Sequence, residues 1–124
     1  MKTKEELKER FSEILDLRFG EFECGEGWYD LLWETLEKIE KCPTYNDLKN
    51  SERGFKIPII KEKYGSLRIQ YWSGTEEIHR IVQEAEEKSE RICEQCSGDS
   101  TVRMNGGWYS SVCNKCLDRS DKEL

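Results

Sequence analysis

The chain is poor in the groups that most catalytic sites need. It has one histidine in 124 residues, His79, and no neighbour in the sequence offers it a partner. That absence leaves no histidine-centred triad to assemble, and His79 reads as a surface or half-buried residue of a helix. Serines, carboxylates and glycines are plentiful, yet none forms a nucleophile elbow, a phosphate loop or a dinucleotide fingerprint. Gly25 and Gly27 ahead of Trp28 look like a glycine-rich loop opening a helix, but Glu23 and Glu26 beside them would repel phosphate. An enzyme is not expected. No apolar run approaches the roughly 18 residues of a membrane span, so no membrane partner is expected either. The opening Met1-Lys-Thr-Lys-Glu-Glu6 is charged and has no apolar segment, which argues against a secretory leader and for a reducing cytoplasm. Hydrophobic residues make up only 35% and charged residues 37%, so the core is small and a metal staple would be a useful supplement.

Cysteine is the exception to this poverty. Cys93-Glu-Gln-Cys96 and Cys113-Asn-Lys-Cys116 are two Cys-x-x-Cys pairs with sixteen residues between them. That spacing fits a structural Zn²⁺ held by four thiolates. A tight turn within each pair aims both sulfurs at one tetrahedral ion, about 2.3 Å away. Between the pairs, residues 100–104 and 108–113 suit a hairpin around Asn105-Gly106-Gly107, because Asn and Gly tolerate positive φ. Residues 117–124 suit a short helix. Knuckle, hairpin, second pair and helix together describe a treble-clef or zinc-ribbon module. Two disulfides would require an oxidising compartment. A redox reading of one pair leaves the second pair and the hairpin unexplained. Four thiolates fill the coordination sphere, so the expected cofactor is one structural Zn²⁺. The other cysteines, Cys24 and Cys42, read as small buried hydrophobes.

The rest of the chain predicts an α+β fold, with helices packed on a small antiparallel hairpin sheet. Thr3 with Glu6 forms a capping-box pattern, and Leu7, Phe11, Ile14 and Leu15 mark one face of a helix over 4–18. A second helix over 27–41 buries Trp28, Leu31, Leu32, Leu36 and Ile39, with Trp33 off the stripe and partly exposed. Cys42-Pro43 stops it, and residues 43–54 read as a polar connection. A hairpin follows, 55–63 and 67–72 around Tyr64-Gly65-Ser66. Pairing residues whose numbers sum to 130 puts Phe55, Ile57 and Ile59 on one face with Leu67, Ile69 and Tyr71. The same register sets Glu62 opposite Arg68 and Pro58 opposite Trp72. Pro58 cannot donate a ladder bond, which suggests a sheet edge there. A third helix over 75–92, capped by Ser73 or Thr75, carries the stripe Ile78, Ile81, Val82, Ala85, Ser89 and Ile92 and runs straight into Cys93. Residues 1–92 thus form the α+β body and 93–124 the zinc module, packed as one unit.

Charge is unevenly spread. The net charge is −6, yet residues 51–74 carry +3 through Arg53, Lys56, Lys61, Lys63 and Arg68 against Glu52 and Glu62. Lys61, Lys63 and Arg68 lie on one hairpin with Tyr64 and Trp72, a mixture that could stack a base and neutralise a phosphate. The plainer reading makes those aromatics core and lets the lysines snorkel. Trp108 and Tyr109 near the tip of the zinc hairpin are a second possible contact surface.

Three segments carry a resemblance: Cys24-Gly-Glu-Gly-Trp-Tyr-Asp-Leu-Leu32, Lys61-Glu-Lys-Tyr-Gly-Ser-Leu-Arg68, and the helix leading into Cys93-Glu-Gln-Cys96 with Gly106-Gly-Trp108 before Cys113. In that order the chain resembles small phage and prophage zinc-ribbon proteins of uncharacterised function. The resemblance covers 21–116. It implies a phage-type accessory protein in the bacterial cytoplasm and brings no activity with it. Small size, acidity and the lack of catalytic groups, taken with that resemblance, point to a protein that binds, and inhibits, a host macromolecule such as an antiviral defence factor. The alternative is a nucleotide or single-stranded nucleic-acid binder using the hairpin 55–72.

Overall fold

Thr3 opens the chain's first helix, its hydroxyl accepting the Glu6 amide at 3.1 Å. The structure, a computed structural model, describes residues 1–117. The helix expected over 117–124 therefore lies outside the described residues, apart from a helical turn at 114–117. Among the described residues the fold is α+β, with four α-helices, one 3₁₀ turn and two separate two-stranded antiparallel sheets. None of those helices is long and apolar enough to cross a membrane.

The first helix, α1, spans Lys4–Arg10 and is shorter than the apolar stripe suggested. Phe11 and Ile14 are still buried, but the backbone beyond them is claimed by another segment. Ile57 donates to the Ile14 carbonyl at 2.9 Å, and Asp16 and Arg18 donate to the carbonyls of Ile57 and Pro58 at 3.1 and 2.8 Å. A backbone group bonded across the molecule cannot also bond up a helix, so helix gives way to extended chain.

A 3₁₀ turn at Glu26–Trp28 leads into α2, Tyr29–Lys41. Trp28, Leu31, Leu32, Leu36 and Ile39 are buried as the periodicity requires. Trp33 is half-exposed, edge-on to Phe11 at 5.2 Å with the Lys2 ammonium 4.0 Å above it. Pro43 ends α2 and also begins α3, Pro43–Lys49, where a polar connection was expected. Proline breaks a helix from within but is well suited to its first turn, where no N–H donor is needed.

The central hairpin pairs β1, Ile59–Lys63, with β2, Ser66–Gln70. Its partners sum to 129, not 130: Ile60 faces Ile69, Lys61 faces Arg68 and Glu62 faces Leu67. The turn has two residues, Tyr64 and Gly65, both with positive φ, the form whose twist matches the strands. The slip originates at Pro58. Ile57 and Ile60, three apart, are both fully buried, so strict alternation fails between them. The consecutive carbonyls of Ile57 and Pro58 both accept from the 16–18 segment, as at a bulge. Trp72 lies beyond the paired residues and is not opposite Pro58. In this two-stranded sheet β1 is an edge strand, as Pro58 suggests, and its outer side is covered by isolated parallel bridges from Leu15 to Ile57 and from Glu23 to Lys61.

The last body helix, α4, runs Glu76–Ser89 from the Thr75 cap and buries Ile78, Val82, Ala85 and Ser89. It also seals the free edge of β2. Ser89 Oγ accepts the Leu67 amide at 2.9 Å, and the Glu86 carboxylate accepts the Ile69 amide at 3.1 Å. Burial raises the Glu86 pKa above the ordinary carboxylate value, although the Ile69 amide and Arg68 pull the other way. A raised folded-state pKa favours the fold below the ordinary carboxylate range, and that contribution is lost as pH climbs through the folded value. Glu86→Gln should therefore be more stable than the parent at neutral pH and lose the advantage in acid. The gain should be under about 1 kcal/mol, since Gln still accepts from Ile69. Urea midpoints of both proteins between pH 4 and 8 test this, and a pH-independent difference would refute it.

Candidate metal centre and aromatic surface

Beyond α4 the chain folds into a tight knuckle. Cys93 donates its amide to the Gly98 carbonyl at 2.7 Å, while its own carbonyl accepts from Ser97 at 3.0 Å. This geometry turns three amides toward the Cys93 sulfur: those of Gln95 and Cys96, both at 3.4 Å, and that of Cys113 at 3.3 Å. The Gly98 amide points at the Cys96 sulfur at 3.4 Å. Amide dipoles aimed at sulfur favour the thiolate.

The second pair follows a second hairpin, β3, Arg103–Asn105, and β4, Trp108–Ser110. Its turn is Gly106-Gly107, both with positive φ, so the strands are shorter and the turn one residue later than the spacing suggested. Arg103 braces the return of the chain by donating to the Val112 carbonyl at 2.9 Å and to Asn114 at 2.5 Å. Val112 packs with Cys93 and Cys116 in a small buried cluster of its own.

The four sulfurs lie within 4.8 Å of one another. Cys93 to Cys116 is 3.8 Å and Cys96 to Cys113 is 3.7 Å. A disulfide would hold its sulfurs about 2.05 Å apart. Four sulfurs about 2.3 Å from a tetrahedral ion sit roughly 3.8 Å from each other, so the spacing fits a metal ion. Protons compete for this set: burial foremost pushes Cys116 up to about 12, while the Cys116 amide brings Cys113 down to about 6. Four closely packed sulfurs release all their protons together only to a cation.

The sequence did not reveal what the knuckle rests on. Gly27 donates to the Glu94 carbonyl at 2.7 Å, Gly25 to the Glu94 carboxylate at 2.8 Å, and the Trp28 indole to the Ile92 carbonyl at 2.9 Å. Ser97 returns a bond to the Gly27 carbonyl at 2.5 Å. A Cβ on Gly27 would stand 2.2 Å from the Cys93 carbonyl oxygen, and one on Gly25 would stand 2.4 Å from that of Glu94. These glycines exist for close backbone approach, and the Gly-Glu-Gly-Trp stretch is a saddle for the first Cys pair. Two glycines flanking one residue ahead of a buried Trp was the available signal. Cys24 is half-buried beside this saddle, and Cys42 is buried with its sulfur 3.1 Å from the Thr44 hydroxyl.

The basic-aromatic set does not assemble as one site. Arg68 is half-buried and turned to Glu86 at 3.9 Å. Lys61 lies opposite Arg68 on the neighbouring strand, where Glu62 was expected. Trp72 stands at the far end of β2, across its five residues or about 16 Å of extended chain from the turn. At the near end Tyr64 meets Tyr109 edge-on at 6.1 Å, with the Lys63 ammonium 5.5 Å from the Tyr64 ring centre. Trp108 is 79% exposed, Tyr64 63% and Met104 62%, and Met104 faces Tyr109 across the strand pair. Two separate aromatic surfaces result, one at the β3–β4 hairpin and one around Trp72. Comparison with family models, curated proteins and solved structures finds no match to this chain.

Proposed function

We propose that the chain is a zinc-stabilised, non-enzymatic binding protein. One structural Zn²⁺, held by Cys93, Cys96, Cys113 and Cys116, would fix an aromatic contact surface for a partner macromolecule. The sulfur geometry carries this reading, because a four-thiolate tetrahedral set suits zinc and leaves no open position for catalysis. Knuckle, hairpin and a second pair leading into a helical turn follow the order of a treble-clef module. The ion supplies folding energy there and no reaction step. Tyr64, Met104, Trp108 and Tyr109 form the surface, since exposed aromatics and methionine are typical interface anchors. Protein is favoured over nucleic acid at this surface because the chain is acidic and Arg68 is already paired. The resemblance to phage and prophage proteins makes a host protein of the bacterial cytoplasm the partner to try first, with inhibition as the consequence.

Metal analysis of freshly purified, reduced protein should give one zinc per chain; iron or no metal would overturn the assignment. Affinity capture from bacterial lysate should recover a stoichiometric partner with the parent and lose it with Tyr64→Ala/Trp108→Ala, zinc content unchanged. Equal capture by both proteins would remove this surface from the proposal.

A further inference from the structure

At the opposite end of the hairpin lies a cleft of about 480 Å³, within the range of small-ligand sites. Pro58 and Ile59 give it an apolar wall, and Trp72, 64% exposed, stands beside them. Its polar groups are those of Arg18, Gln70, Tyr71 and His79. Among the described residues no carboxylate lines it, although the chain carries −6. The Arg18 amide is fixed on the Pro58 carbonyl at 2.8 Å, and its guanidinium forms no ion pair among the described residues.

The wall is also preorganised. The Tyr71 ring packs so closely on Gly74 that a Cβ there would stand 2.3 Å from it. Its centre lies 5.5 Å from that of the Phe55 ring, and it is stacked on His79 at 5.4 Å. The Tyr71 hydroxyl is hydrogen-bonded to His79 Nδ1. With Tyr71 donating, a neutral His79 carries its proton on Nε2, a donor on a residue that lines the same cleft as Arg18.

We infer that this cleft binds a nucleoside monophosphate, its heterocycle stacked on Trp72 and its phosphate drawn to Arg18 and His79. The observation behind this is one exposed indole, one tyrosine-oriented imidazole and, among the described residues, one guanidinium without an ion pair and a cleft lining without carboxylates. Gln70 offers both a donor and an acceptor, as the edge of a base requires. Planar stacking and a charge-assisted phosphate contact are the complementary chemistries. The site is independent of the metal and of the Tyr64–Trp108 surface, so neither proposal falls with the other.

Calorimetric titration of the zinc-loaded full chain with AMP, GMP, CMP and UMP tests it. At least one should bind with Kd below about 1 mM, and the matching nucleoside and ribose 5-phosphate should each bind at least about tenfold more weakly. Arg18→Gln and Trp72→Leu should each weaken binding about tenfold or more at unchanged melting temperature, whereas Lys63→Gln should not. Failure of all four nucleotides to bind would overturn the inference. Binding undiminished in both cleft variants, or equal binding of ribose 5-phosphate, would overturn it as well.

Discussion

Cys93→Ser should abolish metal binding and unfold residues 93–117. The Cys93 sulfur is fully buried, takes three amide bonds and sits 3.8 Å from Cys116. A serine oxygen is shorter in reach, holds its proton at neutral pH and suits zinc far less well than thiolate. Structural zinc contributes on the order of 10 kcal/mol of apparent folding energy at neutral pH. Among the described residues the buried cluster around the sulfurs holds Cys93, Val112 and Cys116, with Cys113 and Leu117 beside them, too little to replace that. Zinc content should fall from one to under about 0.1 per chain, and amide protection should vanish across residues 92–117. Helical circular dichroism should largely persist, because α2 and α4 bury their stripes in the separate body core. Cys42→Ser is the control: it is also buried, but stands outside the cluster, so zinc should be retained and the cost held to about 1–2 kcal/mol. A Cys93→Ser protein that still binds one zinc and melts within a few degrees of the parent would refute the metal reading.

The legible parts of this chain are those whose cause is local. Four cysteines announce their cluster because two short turns and one hairpin bring them together, and each step leaves its mark in adjacent residues. The stripes of α2 and α4 and the Thr3 and Thr75 caps depend on neighbours three and four positions away, so sequence reading recovers them. Three features were misread because their cause is distant or two-faced. Pro43 ends one helix and starts the next, and a breaker rule sees only the first role. The apolar alternation at Phe55 and Ile57 was carried across Pro58, where the chain bulges toward Asp16 and Arg18. That one-residue slip exchanged Glu62 for Lys61 opposite Arg68, and with it the expected shape of the basic face. The partner of Arg68 is Glu86 on another element, and the partner of His79 is Tyr71, eight residues earlier. Contacts of that kind follow from the packing of α4 on β2, which no local window contains.

Gly27→Ala should cost more than any other single methyl added to the saddle, and it should loosen the metal as well. Its Cβ would lie 2.2 Å from the Cys93 oxygen and 2.5 Å from the Glu94 backbone, atoms that cannot swing away as a flexible side chain would. The knuckle must therefore lift, straining the Gly27–Glu94 bond at 2.7 Å and the Ser97–Gly27 bond at 2.5 Å. Overpacking against backbone at this depth should destabilise by about 3 kcal/mol, or roughly 12 °C in melting temperature for a chain of this size. Cys93 precedes Glu94 directly, so a lifted knuckle also moves a ligand; competition with a chromogenic chelator should show zinc held at least about tenfold more weakly. Gly20→Ala separates space from backbone conformation, because Gly20 has φ +69 and nothing within 4 Å. It should cost about 1 kcal/mol and leave zinc affinity untouched. If Gly27→Ala melts no lower than Gly20→Ala, the saddle does not press on the knuckle. If it melts lower with zinc affinity intact, the knuckle's seat and the metal are uncoupled, and the four sulfurs hold their geometry without the body's help.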